Sequence, residues 1–228
     1  MSTSSTALIV GASRGLGLGL VREHLRRGWK VIATERNPGS SAGLAELACD
    51  ALTIEALDID DEAGIAALAG RLRPTSLDLL YMNAGVSDDA AVPVGQVTTA
   101  EFDRVMRTNA LGPMRVVERL ADRVAEKGTI AVMSSALGSV STEPSSGYDV
   151  YSASKAALNR LIRGYAMRSG GNRTLLAVMP GWVQTEMGGE EAPLDVETSV
   201  RGIADALAMR IGTGGVAFID YQNTMVPW

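Results

Sequence analysis

Cysteine and histidine are nearly absent, and that scarcity removes whole classes of chemistry. A lone Cys49 forms no internal disulfide and no multi-cysteine zinc site, and in "AELACD" it reads as a packing or surface residue. A lone His24, among the charges of "LVREHLRRG", reads as a solvated helix residue and leaves a Ser-His-Asp hydrolase without a base. Basic clusters are missing too: Arg26-Arg27 is the longest Lys/Arg run, and 21 basic against 26 acidic residues give a net charge of −5. Nucleic acid and anionic membrane are therefore poor partners. No apolar run reaches the roughly 20 residues that span a bilayer, and "MSTSSTALIV" lacks the basic start and long apolar stretch of a signal peptide. A cytoplasmic location is the expectation.

What is plentiful is aliphatic material. Hydrophobic residues make up 46% of the 228 and aromatics only 4%, enough for a large core in one domain covering residues 1–228. Short apolar runs recur: "TALIV" at 6–10, "KVIAT" at 30–34, "LTIEAL" at 52–57, "LDLLYM" at 77–82, "TIAVM" at 129–133, "LLAVM" at 175–179 and "GVAFI" at 215–219. Most are apolar at successive positions, as strands covered on both faces require. Between them lie segments with helical spacing, among them "LGLVREHLRRG", "EAGIAALAGRL", "TAEFDRVMRTNALGPMRVVERLADRVAE", "SASKAALNRLIRGYAMRSG" and "VETSVRGIADALAMR". Parallel strands need crossovers, nearly always right-handed, so the alternation predicts a Rossmann-type α/β fold: a doubly wound parallel sheet of about seven strands with helices on both faces. The Gly/Pro-containing stretch at 182–197 is either a surface loop or a mobile cover over a ligand site.

The first strand runs into a glycine cluster, "ALIVGASRGLGLGLVREHL", before an amphipathic helix. Glycines there allow a tight turn and close backbone approach, so that helix N-terminal amides face a pyrophosphate. The spacing Gly11-x3-Gly15-x-Gly17 differs from the general G-x-G-x-x-G fingerprint and resembles that of the classical short-chain dehydrogenase/reductase family, with Val10 where the family keeps a threonine. The resemblance implies that Gly11, Ser13, Arg14, Gly15, Leu16 and Gly17 wrap a nicotinamide dinucleotide, NAD or NADP. At the end of the second strand, "ATERNP" offers both signs of charge: Glu35 suits the ribose hydroxyls of NAD, whereas Arg36, with Arg14, suits the 2′-phosphate of NADP. Glu35 tips the expectation towards NAD.

Further marks of the family follow in order. "LDID" resembles the segment whose aspartate, Asp58, meets the adenine, and "MNAG" retains Asn83, Ala84 and Gly85 beside the cofactor. "RTNALGP" is similar to the helix segment whose asparagine, Asn109, holds a kink and a water leading to a lysine. In "TIAVMSSALGS" the resemblance assigns Ser135 to the reacting oxygen and Ser134 to a structural role. "PGWVQTEM" resembles the segment where Pro180 and Gly181 shape the floor and Thr185 holds the carboxamide. "GLGLGLVR", "GWVQTEMGG", "EEAPL" and the final "FIDYQNTMVPW" look like the subgroup of bacterial C-factor and the insect carbonyl reductase sniffer.

"YDVYSASKAA" contains two tyrosines and one lysine. Helical neighbours lie three or four residues apart, so Tyr151 and not Tyr148 is the partner of Lys155. A free phenol titrates near about 10, and an adjacent ammonium favours the phenolate, which suits Tyr151 to proton exchange with a carbonyl or alcohol oxygen. Asn109, Ser135, Tyr151 and Lys155 then complete the family's tetrad, with Tyr151 and Lys155 also touching the cofactor and no metal needed. The resemblance implies an oxidoreductase acting on a small carbonyl or secondary alcohol, and a homodimer or homotetramer. The face of "RVVERLADRVAE" meets another subunit or covers the chain's own sheet. A coenzyme-sensing regulatory protein without physiological turnover is the alternative.

Overall fold

Within β1 (Thr6–Val10), Ala7 and Ile9 belong to one apolar layer while Leu8 and Val10 belong to another, and all four are fully buried. Successive strand residues face opposite sides, so four consecutive apolar residues in one strand demand cover on both. The computed structural model, which describes residues 4–73, 75–142 and 147–228, supplies that cover. Beside β1 lie β2 (Lys30–Glu35), β3 (Leu52–Ala56), β4 (Leu77–Met82), β5 (Val124–Met133), β6 (Thr174–Met179) and β7 (Val216–Asp220), all parallel, in the order β3-β2-β1-β4-β5-β6-β7. The doubly wound sheet expected from the alternation is the observed architecture.

The layer holding Ala7 and Ile9 includes residues of α1 (Gly15–Arg26), α2 (Ala42–Glu46) and α7 (Val196–Arg210). The opposite layer includes residues of α3 (Glu62–Arg71), α5 (Gly112–Leu120) and α6 (Asp149–Ser169). In α5, Val116, Val117 and Leu120 are fully buried in this layer, so the face that sequence left open covers the chain's own sheet. None of the helices among the described residues is long and apolar enough to cross a membrane.

Two local expectations are corrected. The helical pattern read across 99–126 resolves into α4 (Thr99–Met106), a π-helical turn (Arg107–Leu111) where a kink at Asn109 was expected, and α5, and it ends early, since β5 starts at Val124. Val124 is buried and pairs with Leu77, and the ladder shifts register before resuming at Leu79–Thr129, so strand pairing overrides the helical pattern of "RVAE". His24 is not solvated: only 3% of it is exposed, Nδ1 donates to the Leu20 carbonyl at 2.8 Å, and its ring meets Trp29 edge-on. Cys49 lies beyond the end of α2 and is exposed.

Candidate active site

Strand order reverses between β1 and β4: from β1 the chain builds outward to β2 and β3, then returns to β4 on the other side. The loops at the carboxyl ends of these two strands diverge, and a crevice opens between them. Its floor is tightly laced. Asn83 Nδ2 donates to the Gly11 carbonyl at 2.7 Å, and the amides of Asn83 and Ala84 both donate to Val10 O. Gly11 has φ +83°, and a Cβ there would come within 2.7 Å of the backbone and methyl of Ala84, so position 11 tolerates no side chain. Val10 supplies no hydroxyl; Thr34 of β2 does, accepting from Gly11 N at 3.1 Å.

Above this floor α1 begins at Gly15; Arg14, at the N-cap, is extended and makes no side-chain cap, and the first turn holds no acid. Elsewhere Ser41, Asp61, Thr98 and Asp195 cap α2, α3, α4 and α7 with their own side chains. The uncapped amides of α1, facing a crevice without opposing negative charge in that turn, fit the pyrophosphate of a dinucleotide. Ser13 joins this turn to the next loop, its carbonyl accepting from Ser41 Oγ at 2.6 Å, and Leu16 packs against the core. Gly15 faces the methyl of Thr185, while Arg14 forms an ion pair with Glu186.

Glu35 is buried, and its carboxylate is engaged within its own loop. Oε1 accepts from Gly39 N at 2.5 Å, and Oε2 from Ser41 N at 3.0 Å and Ser40 Oγ at 3.2 Å. Arg36, next along, is exposed. Asp58 is also exposed, with Oδ1 accepting from Asp60 N at 2.9 Å.

Across the crevice, α6 carries Tyr151 and Lys155 one turn apart. Tyr148 sits just outside the helix at φ 58°, as the spacing requires. Lys155 is buried, its Nζ 5.5 Å from the centre of the Tyr151 ring and donating to Met133 O at 2.9 Å. Burial lowers this ammonium to about 8. The Tyr151 phenol is pushed up by burial, against which the Ser135 hydroxyl works by hydrogen bonding. The expected depression of the phenol by lysine is thus not what this state shows: desolvation dominates, and Lys155 gives its hydrogen bond to backbone.

Ser135 starts a short turn (Ala136–Gly138), its Oγ accepting from Leu137 N at 3.2 Å. Behind it, Ser134 Oγ donates to Asn159 Oδ1 at 2.7 Å and Asn159 Nδ2 to Gly138 O at 3.0 Å, a buried brace between β5 and α6. Asn109, fully buried in the π-helical turn, accepts from Val86 N at 2.8 Å and donates to Val86 O at 2.7 Å and Ser154 Oγ at 2.9 Å. A Cβ on Gly85 would lie 3.2 Å from Asn109 Oδ1 and 3.4 Å from Lys155 Nζ, so the absence of a side chain lets the three meet.

Pro180 O accepts from Ser199 Oγ at 2.7 Å, and Gly181, at φ +84°, packs beneath Leu194. The 182–197 segment is cross-linked within itself. Gln184 N donates to Leu194 O at 2.8 Å, Trp182 Nε1 to Gly188 O at 2.7 Å and Gly188 N to Thr185 Oγ1 at 3.0 Å. Among the described residues, no cluster of three or more metal-binding side chains occurs. Thr34, Asp88, Ser154 and Asn159 are site-shaping residues that sequence reading passed over. Ser154, three residues after Tyr151, and Asn159, four after Lys155, carried a periodic signal.

Residues 5–194 match the profile of the short chain dehydrogenase family. The chain belongs to the short-chain dehydrogenases. C-signal of Myxococcus xanthus is 37% identical to this short-chain dehydrogenase over 156 residues, 67% of the chain and 93% of C-signal. A short-chain dehydrogenase/reductase of Burkholderia multivorans, solved with bound NADP, is 42% identical, covering 99% of this chain and 100% of its own, with a TM-score of 0.95. The carbonyl reductase Sniffer of D. melanogaster is 28% identical, covering 99% and 100%, with a TM-score of 0.91. These similarities set this short-chain dehydrogenase, an oxidoreductase, in the C-factor and sniffer-like subgroup.

Proposed function

We propose that the chain reduces a ketone or aldehyde, or oxidises the matching secondary alcohol, with Tyr151 as the acid/base. The observation that carries this is the pair on α6: the Tyr151 phenol one turn before buried Lys155, whose ammonium lies 5.5 Å from the centre of the Tyr151 ring. A phenol that burial keeps protonated at neutral pH is ready to give its proton to a carbonyl oxygen as negative charge develops there. Ser135 orients that oxygen. Lys155, charged below about pH 8, favours the phenolate left behind. Asn109 holds the loop of Val86 against α6, keeping the floor and the tyrosine in register. The coenzyme, when bound, carries the hydride.

NADP is the proposed coenzyme. Three donors occupy the Glu35 carboxylate, which leaves exposed Arg36 to meet the adenosine ribose, while Arg14 would have to exchange its Glu186 partner to join it. The B. multivorans relative holds NADP.

Tyr151→Phe should lower turnover on a carbonyl panel at least about a hundredfold, read by nicotinamide absorbance, while NADPH binding followed by fluorescence stays intact. Tyr148→Phe should remain near the parent rate. The reverse pattern sinks the assignment, and coenzyme binding without turnover on any carbonyl or alcohol favours a coenzyme sensor.

A further inference from the structure

Besides α1, the catalytic helix α6 also starts without a side-chain cap of its own, Tyr148 occupying the left-handed region at the cap position. Unlike α1, its amides do not stay open. A carboxylate 62 residues earlier in the chain closes them: Asp88 Oδ2 accepts from Val150 N at 3.2 Å and Oδ1 accepts from Tyr151 N at 3.0 Å. Each oxygen takes one orphan donor, and the negative charge lies at the positive end of the helix. Asp88 is only 7% exposed, so this is a built contact and not a surface encounter.

The loop that carries Asp88 is held along its length. Asn109 grips both the N–H and the carbonyl of Val86. Arg104 Nη2 donates to Ser87 O at 2.8 Å, and Ser87 Oγ donates to Asp88 O at 3.1 Å. On the far side, Gly147 lies so close to Ala90 that a Cβ would come within 2.8 Å of the Ala90 carbonyl oxygen. The same loop continues directly from Asn83, Ala84 and Gly85, which floor the crevice.

We propose that Asp88 is the positioning residue for Tyr151: it pins the first turn of α6 to the loop leaving β4, and thereby fixes the phenol relative to the crevice floor. This rests on Tyr151 acting as the acid/base. Without the carboxylate, Val150 and Tyr151 lose the acceptors of their N–H groups and the first turn frays, moving the phenol while leaving the glycine turn of α1 untouched. A misplacement of about 1 Å costs on the order of a hundredfold in rate.

The experiment is a four-member cycle of the full-length chain: parent, Asp88→Ala, Tyr151→Phe and the double variant. Each is assayed for NADPH-dependent carbonyl reduction, with residual rates followed over hours, and for NADPH affinity and thermal midpoint. Asp88→Ala should lower kcat roughly 10- to 100-fold with NADPH affinity within about twofold, and should add no further loss in the Tyr151→Phe background. Asp88→Asn, whose amide oxygen accepts one of the two N–H groups, should fall between, and it replaces Asp88→Ala if that variant does not fold. A general structural role lowers the rate by the same factor in both backgrounds, and that result, or an unchanged kcat in both Asp88 variants, overturns the inference alone. Full turnover in Tyr151→Phe overturns the acid/base reading and the inference with it.

Discussion

At neutral pH the imidazole of His24 is held uncharged. Burial disfavours its protonated form, and the neighbouring Arg27 adds to this, although the Leu20 carbonyl and Glu23 pull the other way. Its folded-state pKa lies below 6.5, so below pH 6.5 the unfolded chain binds a proton that the folded chain refuses. Stability from this site is present above pH 6.5 and is lost as pH falls below it. Glu23 contributes in a separate window: Arg26 first, with Arg27, lowers its carboxyl to about 2, so its contribution is present above pH 4.5 and is lost between there and about 2. His24→Phe keeps an aromatic ring against Trp29 and removes the titration. Urea denaturation should show a flatter loss of stability between pH 6.5 and 5 than in the parent, and parallel slopes would contradict the assignment. The buried state of His24 was legible in part: Leu20 and His24 are four apart on the face that packs against the core. The surrounding charges hid it: Arg26 is exposed, but with Arg27 it closes onto the buried Glu23 next to His24, so charge in the sequence does not mark every neighbour as solvated.

On the proposed reading, the loop between β2 and α2 sets which charge the coenzyme would meet. Sequence placed Glu35 and Arg36 side by side and gave no means of telling which faces the crevice. The partners of Glu35 lie at Gly39, Ser40 and Ser41, in a stretch without periodicity, so the engagement of its lone pairs was invisible until the loop was folded. The glycine turn, by contrast, was legible from spacing alone, since close backbone approach admits few residues. The break at Asn109 came only from family resemblance, because apolar spacing runs unbroken through the π-helical turn. With Glu35 committed to its loop, an arginine at the ribose should be worth a charge-assisted hydrogen bond or two. Arg36→Ala should weaken NADP binding about 10- to 100-fold in a calorimetric titration and leave NAD affinity nearly unchanged. Equal losses for both coenzymes would point to a loop collapse and remove Arg36 from the 2′-phosphate site.

Taken as one body, the seven-stranded sheet runs without interruption through the place where coenzyme would bind. β1 pairs with β2 on one side and with β4 on the other, and the crevice opens above that central join. Alternating strands and helices made this topology readable, since right-handed crossovers leave few orders to choose from. A single domain spanning 1–228 follows as a proposal with a thermal signature. Because both apolar layers pass from the first three strands to the last four, neither half retains its buried surface alone, and unfolding should be one cooperative transition. NADP added at about a hundredfold over its dissociation constant stabilises the folded chain by about 2.7 kcal/mol, which for a chain this long raises the midpoint by roughly 5–10 °C. Calorimetry should show the whole endotherm moving together. Two endotherms, with only the lower or only the upper one responding to NADP, would divide the chain at the β1–β4 join and confine the coenzyme's contacts to one half.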